Sequence, residues 1–298
     1  IHWRDWSSDV CSSDLMNTEK RNSTLYTGLM EEKHQQTVFG MPVGQLTTPL
    51  FGWWPANTTG TTAEKSQMGF LLAFMIGSSL ETTTRPNRSF FWAEGPNVAN
   101  KIHTGVVCGS WTITGSAAGV VASLDLSGYD EIGMDDGTAR ADTAPTLVTD
   151  RKKLNEVLFE DCSMTLGGSA TQMKAFQIKQ NFNLVVGRED SNRPTFLLAK
   201  KVVTDVNYTI RKTDDTWDAY NRPTTETEMA SVLTLKGLHM GTGTGGTDWS
   251  VATLTFNRLA LTKPVTEGGK DFQYLNLAFK ALKPDTSSAS MSYAMSEE

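Results

Sequence analysis

The sequence is short of cysteine, with three in 298 residues, so it cannot carry a disulfide framework and points to a reduced, cytosolic protein. It holds four histidines, little material for general acid–base chemistry or for a zinc site. Long apolar runs are missing: the longest, Phe70 to Ile76, falls far below the ~18 residues of a membrane span. Neither sign of charge dominates. With 27 basic and 33 acidic residues the net charge is −6, which argues against tight non-specific binding to nucleic acid. What is present is ordinary for a globular chain. Hydrophobic residues make up 39% and charged residues 20%, which excludes global disorder and collagen-like repeats. The length suits one or two domains with a sizeable core.

The opening Ile1–Leu15 has neither the basic start nor the apolar stretch of a signal peptide. The run Asp5-Trp6-Ser7-Ser8-Asp9-Val10-Cys11-Ser12-Ser13-Asp14-Leu15, followed by Met16, resembles translated sequencing-adapter read-through. The alternative is a polar N-terminal tail. Setting this segment aside removes one Arg and three Asp and leaves 283 residues at net −4.

From Met16 to about Gly60 the chain mixes polar residues with Gly40-Met41-Pro42, Thr47-Thr48-Pro49 and Trp53-Trp54-Pro55. Proline and glycine at that density predict an extended N-terminal arm with aromatic anchors. Thr61 to Ile76 is the clearest helix. Thr61 and Glu64 form a capping-box pattern, and Met68, Leu71, Leu72 and Met75 share one face. Phe70 and Phe74 lie off that stripe, so the helix is buried on several sides or sits at a subunit contact. A short helix over Asp150–Leu158 is a further option.

After the helix the period changes to two. Val120, Ala122, Leu124 and Leu126 alternate with polar neighbours. So do Phe176, Ile178, Phe182, Leu184 and Val186, and then Val202, Val206, Tyr208 and Ile210. Each series predicts a strand with one buried face. Further strands are expected near Asn87–Trp92, Gly105–Thr114, Glu156–Leu166, Met229–Met240, Ser250–Leu261 and Asp271–Leu282. In Ser250–Leu261 the apolar phase moves from Ala252, Leu254 and Phe256 to Leu259 and Leu261, which places a bulge near Asn257. Asp130–Thr149, Thr213–Thr227 and Gly241–Asp248 read as linkers. The end after Lys283 should fray. The expected fold is mainly all-β: an antiparallel β-sandwich or barrel over residues 61–283 with one main α-helix and the arm at 16–60. Two related halves, about 61–150 and 151–283, are an option, and 284–298 is expected to be a flexible C-terminus.

Motifs with chemistry are weak. Gly241-Thr242-Gly243-Thr244-Gly245-Gly246 matches a dinucleotide fingerprint in spelling, but a strand and not a helix is expected after it. Gly268-Gly269-Lys270 lacks the Ser or Thr of a phosphate loop and reads as a turn. Cys108, Cys162, His34, His103 and His239 do not cluster at metal-ligand spacing. The acids Asp125, Asp130, Glu131, Asp135, Asp136 and Asp142 miss the register of a calcium loop. No catalytic residues, cofactor or metal are assigned. Asn22, Asn57, Asn87 and Asn207 fall in glycosylation-type triplets, read as coincidence in a Thr-rich chain. Trp53, Trp54 and Trp92 could stack on sugars or anchor the arm.

The strand pattern resembles tailed-phage (siphovirus-like) tail tube proteins. The similarity lies in Phe70–Gly77, in the strand pair Val107–Thr114 and Gly119–Asp125, and in Phe159–Gly168 followed by Lys174–Asn181. It continues through Arg193-Pro194 into Val202–Ile210 and closes on Phe272–Ala281, covering about Met68 to Ala281. The acidic loop and the Trp-rich arm have no counterpart.

The resemblance implies a structural virion protein, not an enzyme, located in the phage tail and assembled in the host cytoplasm. Its protomers would form a homo-oligomeric ring, usually a hexamer, stacking into a tube for DNA delivery. True duplication of the halves would instead suit a pseudo-hexameric trimer. Tape measure and tail terminator or tip proteins are the implied partners, with transient passage of DNA and no membrane. Candidate inter-subunit residues are Trp53, Trp54, Phe70, Phe74, Thr242, Thr244 and Trp249, within the helix, the stretch Leu46–Asn57 and the loop Gly241–Asp248. Asp130, Glu131, Asp135 and Asp136 are candidate lumen or loop acids, in keeping with an acidic lumen that repels phosphate. The rival readings are a carbohydrate-binding or adhesion β-sandwich using the tryptophans, akin to a phage fibre or decoration protein, and an all-β enzyme.

Overall fold

Where apolar and polar residues alternate, the backbone can satisfy its N–H and C=O groups in a ladder while sending one side-chain set inward. The computed structural model shows this pattern used throughout. It describes residues 18–22, 35–39, 43–52, 67–76, 88–92, 101–128, 130–133, 156–187, 196–211, 228–239, 248–268, 273–283 and 290–297.

The strands are β1 (Thr18–Asn22), β2 (Gln35–Phe39), β3 (Val43–Pro49), β4 (Arg88–Trp92), β5 (Lys101–Ser116), β6 (Gly119–Ser127), β7 (Asp130–Gly133), β8 (Ser163–Leu166) and β9 (Ser169–Ala170). They continue as β10 (Met173–Asn181), β11 (Leu184–Gly187), β12 (Phe196–Ala199), β13 (Val203–Arg211), β14 (Glu228–His239), β15 (Asp248–Gly268), β16 (Gln273–Ala281) and β17 (Ser292–Glu297). Among the described residues one α-helix, α1, spans Gln67–Ile76. The Thr61–Glu64 cap lies outside the described residues.

Thirteen strands form one antiparallel sheet in the order β3-β6-β5-β10-β13-β16-β15-β14-β8-β9, with β17 joined to β15 and with β4 and β7 joined to β5. The sheet folds over. In a flat sheet β13 and β14, three strands apart, would be separated by about 14 Å. Instead the hydroxyls of Tyr208 on β13 and Ser231 on β14 are 3.0 Å apart and buried. A single core fills the space between, with Trp111, Ile113, Ile178, Tyr208, Leu233, Leu254, Phe256 and Phe279 each at most 1–2% exposed. The architecture is therefore mainly antiparallel β and sandwich-like, with one α-helix among the described residues. Among the described residues no ladder closes it into a barrel.

β15 is the corner. Its first half pairs with β14 and β17, its second half with β16. Between them the register against β14 slips at Met229/Ser231, opposite Phe256 and Leu259. That places the extra residue at Asn257–Arg258, where the phase shift predicts it. Arg258 braces the bulge. Its Nε and Nη2 donate to Glu228 at 2.5 and 2.7 Å, and its Nη1 donates to the Lys283 carbonyl at 3.1 Å. This pairing holds the Glu228 carboxyl below its ordinary pKa.

Four expectations change. Phe176–Val186 is not one strand. Asn181 Oδ1 accepts the Asn183 N–H at 2.8 Å, and Asn183 turns left-handed at φ 46°, so the chain leaves β10 and starts β11 in a separate pair with β12. The arm is not an arm at Val43–Pro49, which is an outermost strand of the main sheet, and Leu50 is fully buried. Glu156 forms an extended bridge with Phe51 where a helix end is an option, and Phe159–Asp161 makes a 3-10 turn in place of the strand expected there. Residues 292–297 do not fray but pair with β15.

α1 is buried nearly all round: Met68, Leu72, Phe74, Met75 and Ile76 are 0–2% exposed. Such burial contributes roughly 1.5–3 kcal/mol per large side chain. Its first turn is seated by the Met68 N–H, which donates to the Phe51 carbonyl at 3.1 Å.

Candidate functional site

The face that the main sheet turns away from its core carries polar and charged side chains with a few small apolar ones among them. The ladders put Thr47, Ser123, Thr112, Lys179, Asp205 and Lys280 in one row across six strands. A second row runs through Val121, Thr114, Gln177, Asn207 and Ala278. A third joins Gln45, Asp125, Ser110 and Asn181. Each strand places them there by simple alternation. β10, for example, buries Phe176, Ile178 and Gln180 and exposes Gln177, Lys179 and Asn181.

These groups bond to one another across the strands. Thr47 and Ser123 hydroxyls lie 3.0 Å apart. Asn207 Nδ2 donates to Gln177 Oε1 at 3.2 Å, and Thr209 donates to Asn276 Oδ1 at 2.7 Å. Ser110 and Gln45 both donate to Asp125. Such pairs fix rotamers on a flat surface and leave further lone pairs for water. Charges are mixed: the register sets Asp205 between Lys179 and Lys280 and Arg211 opposite Tyr274, and Lys174 Nζ sits 4.3 Å from the centre of the Tyr274 ring.

The interior behind this face holds a buried polar chain. Trp111 Nε1 donates to Gln180 Oε1 at 3.0 Å, and Gln180 Nε2 donates to Thr204 Oγ1 at 2.9 Å, all buried. Both ends of the Gln180 amide are thus satisfied, as burial requires. Burial also pushes the Tyr208 hydroxyl pKa up, opposed by its bond to Ser231.

Of the residues singled out by sequence, Phe74 is 1% exposed and has no surface to offer a neighbour, while Phe70 is half-buried against the core. Trp249 is half-buried near the start of β15, opposite Leu238. Asp130 and Glu131 belong to β7, opposite Thr104 and His103, not to a loop. Trp53, Trp54, Thr242, Thr244, Asp135 and Asp136 lie outside the described residues. The G-x-G-x-x-G stretch connects β14 to β15, which pair as a hairpin (His239 opposite Asp248), so no helix follows it to receive a phosphate. No three His, Cys, Asp or Glu side chains come together at metal-binding distance among the described residues. No described helix is long and apolar enough to cross a membrane.

Cys108 is fully buried in β5, and Cys162 lies just ahead of β8 instead of within a strand. Desolvation pushes the Cys162 thiol up to about 12. At pH 8 a chain trimmed to residues 16–298 is therefore expected to react with a thiol reagent on the order of a thousand-fold more slowly than free cysteine. A fast titre of one thiol per chain would contradict the packing around Cys162.

No protein-family model matches the chain, and comparison with curated proteins finds no match.

Proposed function

We propose that the protein is a structural virion protein that self-assembles into stacked rings, the tail tube of a siphovirus-like phage, and that it has no catalytic role. The observation that carries this reading is the polar sheet face, whose hydroxyls and amides bond among themselves. A channel for DNA needs a wet wall that neither buries bases nor concentrates cations on phosphate. In this reading the face lines the lumen.

The strand order supports ring formation. From β3 through β6, β5, β10, β13 and β16 to the second half of β15, every neighbour is antiparallel. Seven strands is an odd number, so the two outermost run the same way. Rotation about a ring axis sets the last strand of one copy beside the first strand of the next, in parallel. The polar face is not acidic, since Lys174, Lys179, Arg211 and Lys280 accompany Asp125 and Asp205 on it. Release of DNA would then rest on interleaved opposite charges and hydration, and not on the acidic lumen expected from net charge.

Tape measure and terminator proteins would bind the ends of the tube, which would be built in the host cytoplasm and carried in the virion. The carbohydrate-binding alternative relies on Trp53, Trp54 and Trp92, whose side chains lie outside the described residues.

Negative-stain microscopy of purified residues 16–298 is expected to show rings or tubes of constant diameter. A persistent monomer that binds glycans would sink the proposal. Removing residues 1–15 is expected to leave assembly unchanged.

A further inference from the structure

From Trp249 to Phe256, β15 reads Trp-Ser-Val-Ala-Thr-Leu-Thr-Phe, eight residues without a charge, a proline or a glycine. Valine, threonine and the aromatic residues favour extended chain. A run of this kind, left on a sheet edge, is a template for pairing with other chains.

Two neighbours close its backbone. β14 takes one edge of β15 from Asp248 to Ala260. β17 takes the other, with Ser292–Glu297 opposite Thr255–Ser250 in unbroken antiparallel register. β16 reaches that second edge only from Leu259 onward. Over Ser250–Thr255, β17 is therefore the sole cover of this edge among the described residues. Other uncharged stretches lie inside the sheet: Ser231–Thr234 sits between β15 and β8, and Ser110–Gly115 between β6 and β10.

β17 is a different kind of strand. Its sequence, Ser-Tyr-Ala-Met-Ser-Glu, holds no β-branched residue. Ser292, Ala294 and Ser296 are exposed, while Tyr293 and Met295 pack against the core. It is seated by Met291, 2% exposed, and by the Ser290 hydroxyl, 3.4 Å from Thr204 Oγ1. The sheet thus ends on a strand of low propensity laid over one of high propensity.

We propose that β17 is an autoinhibitory strap: by filling the Ser250–Thr255 edge from within its own chain, it blocks pairing of that edge with other chains. Its hold is a short ladder and one buried methionine, so it opens locally while the rest of the sheet stays paired. The guarded edge is separate from β3 and from the second half of β15, the strands that the tube reading sets side by side. The proposal goes beyond that reading and stands without it.

The test uses the full chain. Met291→Asp with Ala294→Pro unseats the strap, the first by placing a charge in the core and the second by removing a ladder N–H. Thr253→Lys, added to that variant, sets a charge in the middle of the opened edge, on its outer side. Unseating is expected to speed growth of thioflavin-positive fibrils about tenfold or more. Thr253→Lys is expected to bring the rate back to within about twofold of the unaltered chain. Equal fibril rates with the strap seated and unseated overturn the proposal. So does fast aggregation that Thr253→Lys fails to slow, because the edge is then not its cause. Microscopy of the same samples separates fibrils from rings and tubes, so the tube reading stands or falls on its own result.

Discussion

Trp111→Ala is expected to lower the unfolding free energy by about 4–8 kcal/mol, read from urea denaturation. The indole is 1% exposed, and truncating a buried Trp costs about 3–5 kcal/mol in lost transfer energy and cavity. The remainder comes from Gln180. Its Oε1 has Trp111 Nε1–H as partner and would be left bare in the core, costing about 1–3 kcal/mol. Trp111→Phe separates the two terms. It keeps most of the volume and loses the bond, and should cost about 2 kcal/mol. Equal losses from both substitutions would mean that packing contributes little and that the polar chain dominates.

The second large effect is expected at a contact made by backbone alone. A Cβ built on Gly52 would lie 2.4 Å from the Gly237 carbonyl carbon, and one on Gly237 the same distance from Gly52 Cα and 3.0 Å from Val157 Cγ2. No side chain can step aside for it there except Val157, itself fully buried. Here the strand that leaves β3 crosses β14, and the Val157 N–H donates to the Leu50 carbonyl at 2.7 Å. Gly52→Ala and Gly237→Ala should each cost about 3 kcal/mol, at the upper end of overpacking penalties. The double variant should cost well under the sum, because either methyl group already opens the same gap. Full additivity would show that the two glycines do not meet.

Much of this fold is legible in the sequence wherever alternation is local. β6 and β13 fall where Val120–Leu126 and Val202–Ile210 alternate, and the Asn257 bulge shows as a slip of phase. Apolar residues continue in phase past Asn183, so the turn there is invisible to periodicity. Its signal is the Asn-Phe-Asn triplet, in which one amide caps the next backbone N–H. β3 and β17 are hidden for a different reason. Their sequences, Val-Gly-Gln-Leu-Thr-Thr-Pro and Ser-Tyr-Ala-Met-Ser-Glu, carry little apolar content, and what holds them is a ladder to strands about 80 and 40 residues away. The polar face is legible strand by strand as the outward half of each alternation. Its assembly into continuous rows depends on register between strands far apart in the chain, which no local pattern encodes.

The folded-over sheet also sets a timetable for synthesis. The strands β3 to β13 emerge first, and their inner face carries Trp111, Ile113, Ile178 and Tyr208. Most of the layer that covers them, β14 with the first half of β15 and β17, lies in residues 228–297, while β8 and β9 come earlier. At about 5–20 residues per second, those 70 residues take roughly 4–14 s to leave the ribosome. For that interval the apolar sheet lacks most of its cover apart from α1 and β8, with strand edges open on a growing chain. Aggregation during high-level production, relieved by slower translation or by added chaperone, is the phenotype this arrangement carries.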